Sequence, residues 1–319
     1  MLKISLIVPC WNEEDNVEPF YHAVQKAFAG ASYGWELLFI DDGSSDGTWK
    51  ILERLYEKDP YQISVIRFSR NFGKEAAIFA GMKRADGDFA VVIDVDLQQR
   101  PELVIEMADF LADHQEYDVV AAYQQKRMER KTISGLKTVF YKLMNRICDI
   151  PFYPGASDFR MLRSYVAQAV SSVPEYFRFS KGIFSWVGYE TYYMPYVAEE
   201  RNAGNSKWSF WGLLKYAIEG IVSYTTFPLK ISTYLGMAVS VCSVFYIVFI
   251  LIEWIFFSID IPGFVTTVVL ILMFGGIQLL VLGIIGEYLG RTYIQGKHRP
   301  VFIEKEYLKS MDQKEDAVS

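Results

Sequence analysis

Asp94 and Asp96 stand one residue apart at the end of the apolar run Val91-Val92-Ile93, and Gln98 follows two residues later. Two carboxylates placed so close repel each other and lose hydration, a penalty that a divalent cation, a hydroxyl-rich ligand or both would relieve. Carboxylate and amide oxygens are hard ligands, suited to Mg²⁺ or Mn²⁺, ions that also bind phosphates. If the strand persists to Asp96, period-two alternation points both carboxylates to one side. A solvated strand end with acidic turn residues explains an isolated Asp-x-Asp equally simply, so the neighbours must decide.

Those neighbours recur at regular places. Ile4–Val8 reads as a first strand, stopped by Pro9 and followed by the loop Trp11-Asn12-Glu13-Glu14-Asp15, in which Asn12 or Asp15 can cap a helix. Glu36–Ile40 is a second strand, ending at Asp41-Asp42-Gly43-Ser44-Ser45-Asp46, with a helix expected over Trp49–Lys58. Ile63–Phe68 is a third, ending at Ser69-Arg70-Asn71-Phe72-Gly73-Lys74, with a small-residue helix expected over Ala76–Ala85. The strand leading to Asp94 is the fourth. This alternation predicts an α/β fold with a parallel sheet, helices on both faces, and ligands at the carboxyl ends of the strands. Every polar cluster named so far falls at such an end.

The rest of the chain is less regular. A fifth strand is expected over Asp118–Tyr123, followed by Lys126-Arg127-Met128-Glu129-Arg130-Lys131, four cations in six residues. From Ile133 to Ile147 apolar residues recur at helical spacing; a core-packed helix and a helix lying on a membrane surface both account for them. Asp158 and Arg160 read most simply as a local salt bridge. Arg201, Gly204, Ser206 and Lys207 lie in a polar loop able to wrap cations around an anion, ahead of an aromatic-rich amphipathic helix, Trp208–Val222.

Composition sets the limits. The chain has 319 residues, a net charge of −6 and three cysteines, Cys10, Cys148 and Cys242, without metal-ligand or disulfide spacing. The negative charge gives no support to nucleic-acid binding, and the cysteines read as reduced thiols of a cytosol-facing domain. Ile231–Ile252 carries no Asp, Glu, Lys or Arg over 22 residues, about 33 Å of helix against a bilayer core of about 30 Å. A second such run spans Pro262–Gly286. The connector Glu253–Ile261 lacks Lys and Arg, whereas Lys207, Lys215 and Lys230 precede the spans and Arg291, Lys297 and Arg299 follow them. The positive-inside rule then predicts a cytoplasmic N-terminal domain and tail.

Ile7-Val8-Pro9-Cys10-Trp11-Asn12-Glu13-Glu14, Asp41-Asp42-Gly43-Ser44-Ser45-Asp46, Arg70-Asn71-Phe72-Gly73-Lys74 and Asp94-Val95-Asp96-Leu97-Gln98 resemble the family 2 glycosyltransferases. Asp158-Phe159-Arg160, the Arg201–Lys207 loop, two C-terminal spans and Gly286-Glu287-Tyr288-Leu289-Gly290-Arg291 narrow the resemblance to the polyprenyl-phosphate glycosyltransferases, the bactoprenol glucosyltransferase and dolichol-phosphate mannose synthase group. The resemblance implies a GT-A, Rossmann-like catalytic domain over residues 1–206, a juxtamembrane helix over 207–230, two transmembrane helices within 231–290 and a cytoplasmic tail over 291–319. It implies inverting, metal-dependent transfer from a nucleotide sugar to a polyprenyl phosphate. Pro9, Glu13 and Asp42 would hold the nucleotide, with Asn71, Gly73 and Lys74 also on the donor side. Asp94, Asp96 and Gln98 would hold Mg²⁺ or Mn²⁺. Arg201 and Lys207 would neutralise the leaving diphosphate, and Asp158 would lie near the acceptor. Relatives usually carry an arginine three residues before a second one near the acceptor phosphate; here Gln124 precedes Arg127, leaving Arg127, Arg130 and Lys131 for that role.

The resemblance also implies a bacterial inner-membrane protein and a homo-oligomer, a tetramer in some relatives. UDP-glucose and undecaprenyl phosphate are the expected substrates, with UDP-N-acetylglucosamine or GDP-mannose as alternative donors. A processive glycan synthase fits less well, because the chain has no Arg-Trp dipeptide and only two spans. A non-catalytic, membrane-anchored nucleotide-sugar binding protein would not need intact carboxylates at every strand end. The predicted topology has a direct check. Cysteines engineered into the Ser258–Gly263 connector should react with an impermeant thiol reagent on intact cells, and one at Lys309 should not; the reverse pattern refutes it.

Overall fold

The structure, a computed structural model, describes residues 1–124, 146, 148, 153, 156–197, 222, 225–256 and 263–311. Two compact units divide the chain: Met1–Asn145 with Ile150–Leu213 and Pro300–Ser319, and Arg146–Asp149 with Leu214–Arg299.

The first unit is built on one eight-stranded sheet. Its strands are β1 (Lys3–Cys10), β2 (Gly34–Asp41), β3 (Ile63–Phe68), β4 (Phe89–Val92), β5 (Val119–Gln124), β6 (Ala156–Arg163), β7 (Thr191–Tyr196) and β8 (Glu304–Leu308). Their order is β7-β5-β6-β4-β1-β2-β3-β8. The central β3-β2-β1-β4 set is parallel, as the βα alternation predicts, and connects through α1 (Val17–Phe28), α2 (Thr48–Lys58) and α3 (Lys74–Arg84). Ile4, Leu6 and Val8 of β1, Leu37 and Phe39 of β2 and Val91 of β4 are buried in one core with Phe20 and Val24 of α1. α4 (Glu102–Asp113) adds Val104, Met107 and Leu111 to that core, and α5 (Ser164–Ser171) and α6 (Ser180–Trp186) follow β6 in the chain. The strand order reverses around β1, so the crevice at the carboxyl ends of β1 and β4 is the topological switch point.

Three strands depart from the sequence reading. β6 runs antiparallel between β4 and β5 and carries Asp158 and Arg160, a strand the sequence reading did not assign. β7 pairs parallel with β5 at one edge. β8 follows both long apolar helices, returns to the first unit and pairs antiparallel with β3 at the other edge. Pro9 does not end β1, which continues to Cys10. The Ile7 carbonyl accepts the Ile93 N–H on the β4 side, and the Cys10 carbonyl accepts the Asp42 N–H on the β2 side. Alternation therefore turns the Pro9 nitrogen toward the β4 side, beyond Val92, where no ladder partner is needed.

The second unit contains α7 (Phe227–Phe256, 30 residues) and α8 (Phe264–Gly296, 33 residues). Both extend past the uncharged runs, and each is long and apolar enough to cross a membrane. Ser232, Ser240 and Ser243 donate their hydroxyls to the carbonyls four residues earlier, so these polar groups are satisfied inside the helix. The amphipathic stretches 133–147 and 208–222 lie outside the described residues, but for isolated positions.

Gly43, after β2, has φ +65°, and a Cβ there would meet the Arg70 carbonyl carbon at 2.5 Å and the Asn71 nitrogen at 2.8 Å. Both obstacles are backbone. Gly43→Ala should therefore lower stability by about 2 kcal/mol or more, read as a fall in unfolding midpoint of the full chain in detergent. An unchanged midpoint would show that the β2 and β3 loops can separate freely.

Candidate active site

β4 stops at Val92, so the strand does not persist to Asp96. Ile93 and Val95 remain buried, and Leu97 turns the chain with φ +59°. Asp94 and Asp96 thus sit on a turn, not on one strand face. Gln99, which is 6% exposed, folds back under it: its Oε1 accepts the Asp94 N–H at 3.0 Å and its Nε2 donates to Asp94 Oδ2 at 3.4 Å. Asp96 Oδ1 accepts the Gln98 N–H at 3.2 Å. Gln99 is a positioning residue absent from the sequence reading, which stopped one residue short at Gln98.

β6 delivers the facing carboxylate. In its pairing with β4, Val92 lies opposite Arg160. Continued past the end of β4, that antiparallel register sets Asp158 opposite Asp94, an unfavourable meeting of like charges. Lys74, the first residue of α3, resolves it: its Nζ lies 2.6 Å from Asp94 Oδ1 and 3.7 Å from Asp158 Oδ2. Burial alone would lower the Lys74 pKa, but Asp94 and Asp158 outweigh it and hold the ammonium well above its ordinary range. Burial would likewise raise the Asp158 carboxyl; Lys74, Lys181 and Arg160 overcome it and keep Asp158 below the usual carboxylate range. Asp158 therefore engages Lys74 across the sheet, while the Arg160 guanidinium donates to the Ser157 carbonyl at 3.0 Å and lies over the Phe184 ring of α6 (Ser180–Trp186). The local salt bridge of the sequence reading is replaced by this longer-range one.

The β1, β2 and β3 loops complete the crevice. Asn12, at φ +53°, caps no helix; its Oδ1 accepts the Ser45 N–H at 2.9 Å and its own N–H donates to Ser44 Oγ at 3.0 Å. The Glu13 N–H donates to Thr48 Oγ1, and Glu13 Oε2 accepts from Asn16 Nδ2 at 2.7 Å. Asp42, 3% exposed, clamps the third loop by accepting the Phe72 N–H at 2.6 Å and the Gly73 N–H at 2.9 Å. Burial raises its pKa to about 6 despite those two backbone donors. Gly73, at φ +97°, lets the chain turn into α3 so that Lys74 follows at once. Asn71 is exposed on this loop, and Pro9 is partly exposed near the end of β1. Tyr196, at the end of β7, was also missed: burial raises its pKa, and the Asp94 and Asp96 charges add to that. Of the remaining expected residues, Arg127, Arg130, Lys131, Arg201 and Lys207 lie outside the described residues.

A mixed sheet of this order, with acidic residues at its switch point, is of the GT-A type. The glycosyl transferase family 2 model matches residues 5–170, and the chain belongs to that family. It is 38% identical to an uncharacterised glycosyltransferase of Synechocystis over 95% of this chain and 94% of the relative. It is 41% identical to the bactoprenol glucosyl transferase of Shigella phage SfV over 95% and 98%, and 41% identical to the prophage bactoprenol glucosyl transferase homologue of Escherichia coli K12 over 95% and 99%.

Glu75, next to Lys74, accepts the Ser180 N–H at 2.8 Å and the Ser180 hydroxyl. Burial and then Asp158 raise its pKa to about 7, against the pull of Ser180 and Arg178. A carboxyl raised on folding binds its proton more tightly in the native state, so its contribution to stability is present below the ordinary carboxylate pKa and is lost as pH rises to about 7. Glu75→Gln should remove this part of the pH dependence between about 4.5 and 7, measured as thermal midpoints of the full chain across that range. An identical slope in the variant would place the titration elsewhere.

Proposed function

We infer that the protein transfers glucose, with inversion, from a nucleotide sugar to a polyprenyl phosphate at a membrane surface. The observation that carries this reading is the pairing of Asp158 with Lys74 opposite Asp94. A carboxylate held below its usual range is a weak base, poorly matched to taking a proton from a sugar hydroxyl near neutral pH. Glu75, the neighbouring carboxyl with a pKa near neutrality, is committed to Ser180. The site thus favours an acceptor that arrives ionised, and a phosphate monoester, with a second pKa of about 6, does so. The names of the Shigella phage and Escherichia coli relatives supply the same acceptor class and the sugar.

In the reaction, an acceptor phosphate oxygen bonds to the anomeric carbon as that carbon's bond to the nucleoside diphosphate breaks. Pro9 and Glu13 wall the base and ribose, and Asp42, whose oxygens each keep a second lone pair, meets a base N–H. Asp94 faces the ribose and Asp158 the acceptor side, with Lys74 offsetting both. Arg201 and Lys207 screen the leaving diphosphate, and Arg127, Arg130 and Lys131 the acceptor phosphate. Uridine is the carrier favoured here. Asp94, Asp96 and Gln98 offer oxygen ligands only, and among the described residues no group of three or more His, Cys, Asp or Glu forms a closed cage. Such an open set fits Mg²⁺ or Mn²⁺, which take few protein ligands and leave positions for water and diphosphate. When bound, the ion offsets negative charge growing on the leaving group.

The membrane assignment rests on α7 and α8. β8 follows them and shares a sheet with β3, so a chain that crosses a bilayer twice is returned to its starting side. The cytoplasmic face is the one with access to nucleotide sugars. The test is incubation of membranes containing the protein with a panel of labelled nucleotide sugars, followed by mass analysis of extracted lipid. A hexosyl polyprenyl phosphate should form from UDP-glucose, EDTA should stop it, and Asp96→Asn should lower turnover by about a hundredfold or more. Near-wild-type turnover in EDTA or in that variant would remove the Asp94–Gln98 turn from the chemistry, and a lipid product from another donor would reassign the sugar.

A further inference from the structure

The loop Ser69–Gly73 joins β3 to α3 and leads directly into Lys74. Its Phe72 and Gly73 amides are held by Asp42, but Ser69 and the two elements that flank the loop meet residues from the far end of the chain. The Ser69 N–H donates to the Ile303 carbonyl at 3.0 Å. Phe302 stacks on Phe68, the last residue of β3, with ring centroids 4.9 Å apart and planes at 18°. The same Phe302 ring meets Phe79 of α3 edge-on at 6.1 Å. Phe68 in turn meets Phe72, inside the loop, edge-on at 5.8 Å. One side chain therefore touches both elements that flank the loop, and reaches the loop itself through a single intervening ring.

The rest of the segment anchors that ring. β8 pairs Val65 with Leu308 and Arg67 with Glu306, and the register then shifts between Arg67 and Phe68, where Glu304 lies opposite Phe68. Arg84, the last residue of α3, donates to both carboxylate oxygens of Glu304 at 3.0 Å and places its guanidinium over the Tyr307 ring. α3 is thus fastened to the returning segment at its end by Arg84 and nearer its start by Phe79. A plain cover for the β3 edge would need only the strand ladder; Phe302 adds contacts to both elements that flank the loop.

We propose that Phe302, which precedes β8 in the segment following the second apolar helix, is a positioning residue of the donor site and sets the Ser69–Gly73 loop. The inference rests on the donor role given to that loop above. Its consequence is that nucleotide-sugar binding depends on the chain having returned through both apolar helices to β3.

The experiment uses full-length protein in detergent, with Phe302→Ala, Phe302→Leu and, as a control at the other end of β8, Leu308→Ala. Hydrogen exchange at the Ser69, Phe72 and Gly73 amides, binding of UDP and GDP with Mg²⁺, KM for donor and acceptor, and the unfolding midpoint are measured on each. Phe302→Ala should speed exchange at those amides and weaken nucleotide binding by about ten- to a hundredfold, raising donor KM and sparing acceptor KM. Phe302→Leu should recover part of the loss, and Leu308→Ala should lower the midpoint without changing donor KM. Should Phe302→Ala not fold, the Leu variant decides by the same measurements. Unchanged exchange, or donor and acceptor KM rising together, would overturn the proposal. Nucleotide binding by the wild type that persists unchanged in a folded Phe302 variant would overturn it alone; a wild type that binds no nucleotide would overturn the donor reading and this inference with it.

Discussion

A single ammonium stands between the two carboxylates that the sheet forces together. Asp94 leaves β4 on a turn, and β6 brings Asp158 to the same level from the other side. Without Lys74 at 2.6 and 3.7 Å, the two charges would face each other in a partly desolvated crevice. Lys74 is poorly placed for its own helix, since a cation at a helix N-terminus opposes the macrodipole. Its position is explained by the carboxylates it serves. Such a conflict between local preference and tertiary need is characteristic of functional sites. Gly73 and Asp42 are subordinate to it: one supplies the backbone turn and the other fixes the preceding amides, so that Lys74 can reach back over the strand ends.

The same arrangement divides the work between carboxyl groups by environment. Asp158 is surrounded by cations and stays ionised, whereas Glu75, one turn of contacts further in, is buried against Ser180 and titrates near neutrality. The ionised group lies beside the reacting crevice, and the proton-binding group ties α3 to α6. Transfer to a phosphate suits this division, because orientation and charge compensation then matter more than proton abstraction.

The donor half of the fold was legible because its elements are consecutive. β1 to β4 are short apolar runs, each followed by a polar cluster and a helix, and parallel order follows from the crossovers. The end of β4 could not be read from the sequence because Ile93 and Val95 stay buried after the strand has stopped, so hydrophobicity outlasts the ladder. β6 escaped notice because its Ser157-Asp158-Phe159-Arg160 pattern looks like a loop until it is paired on both sides. β8 is rich in charge, as edge strands are, and so carries no clear alternation. Gln99 had no signal beyond its neighbour Gln98. Its role depends on a turn geometry that local sequence does not announce.

These misses share a cause. Tyr196, Phe302, Glu304 and the Lys74 partner of Asp158 all depend on residues far apart in the chain, brought together only when the sheet is assembled. Closing such contacts requires long loops, here including two apolar helices between β7 and β8. Sequential βα units can therefore present Pro9, Asp42 and Asp94 at neighbouring strand ends, but they do not by themselves complete the crevice. Its opposing wall comes from β6 and β7, and the outer support of its third loop comes from Phe302 and Ile303, just ahead of β8. The four βα units built early in the chain are thus completed by elements that follow them, and the last of these, β8, joins the sheet only after α8.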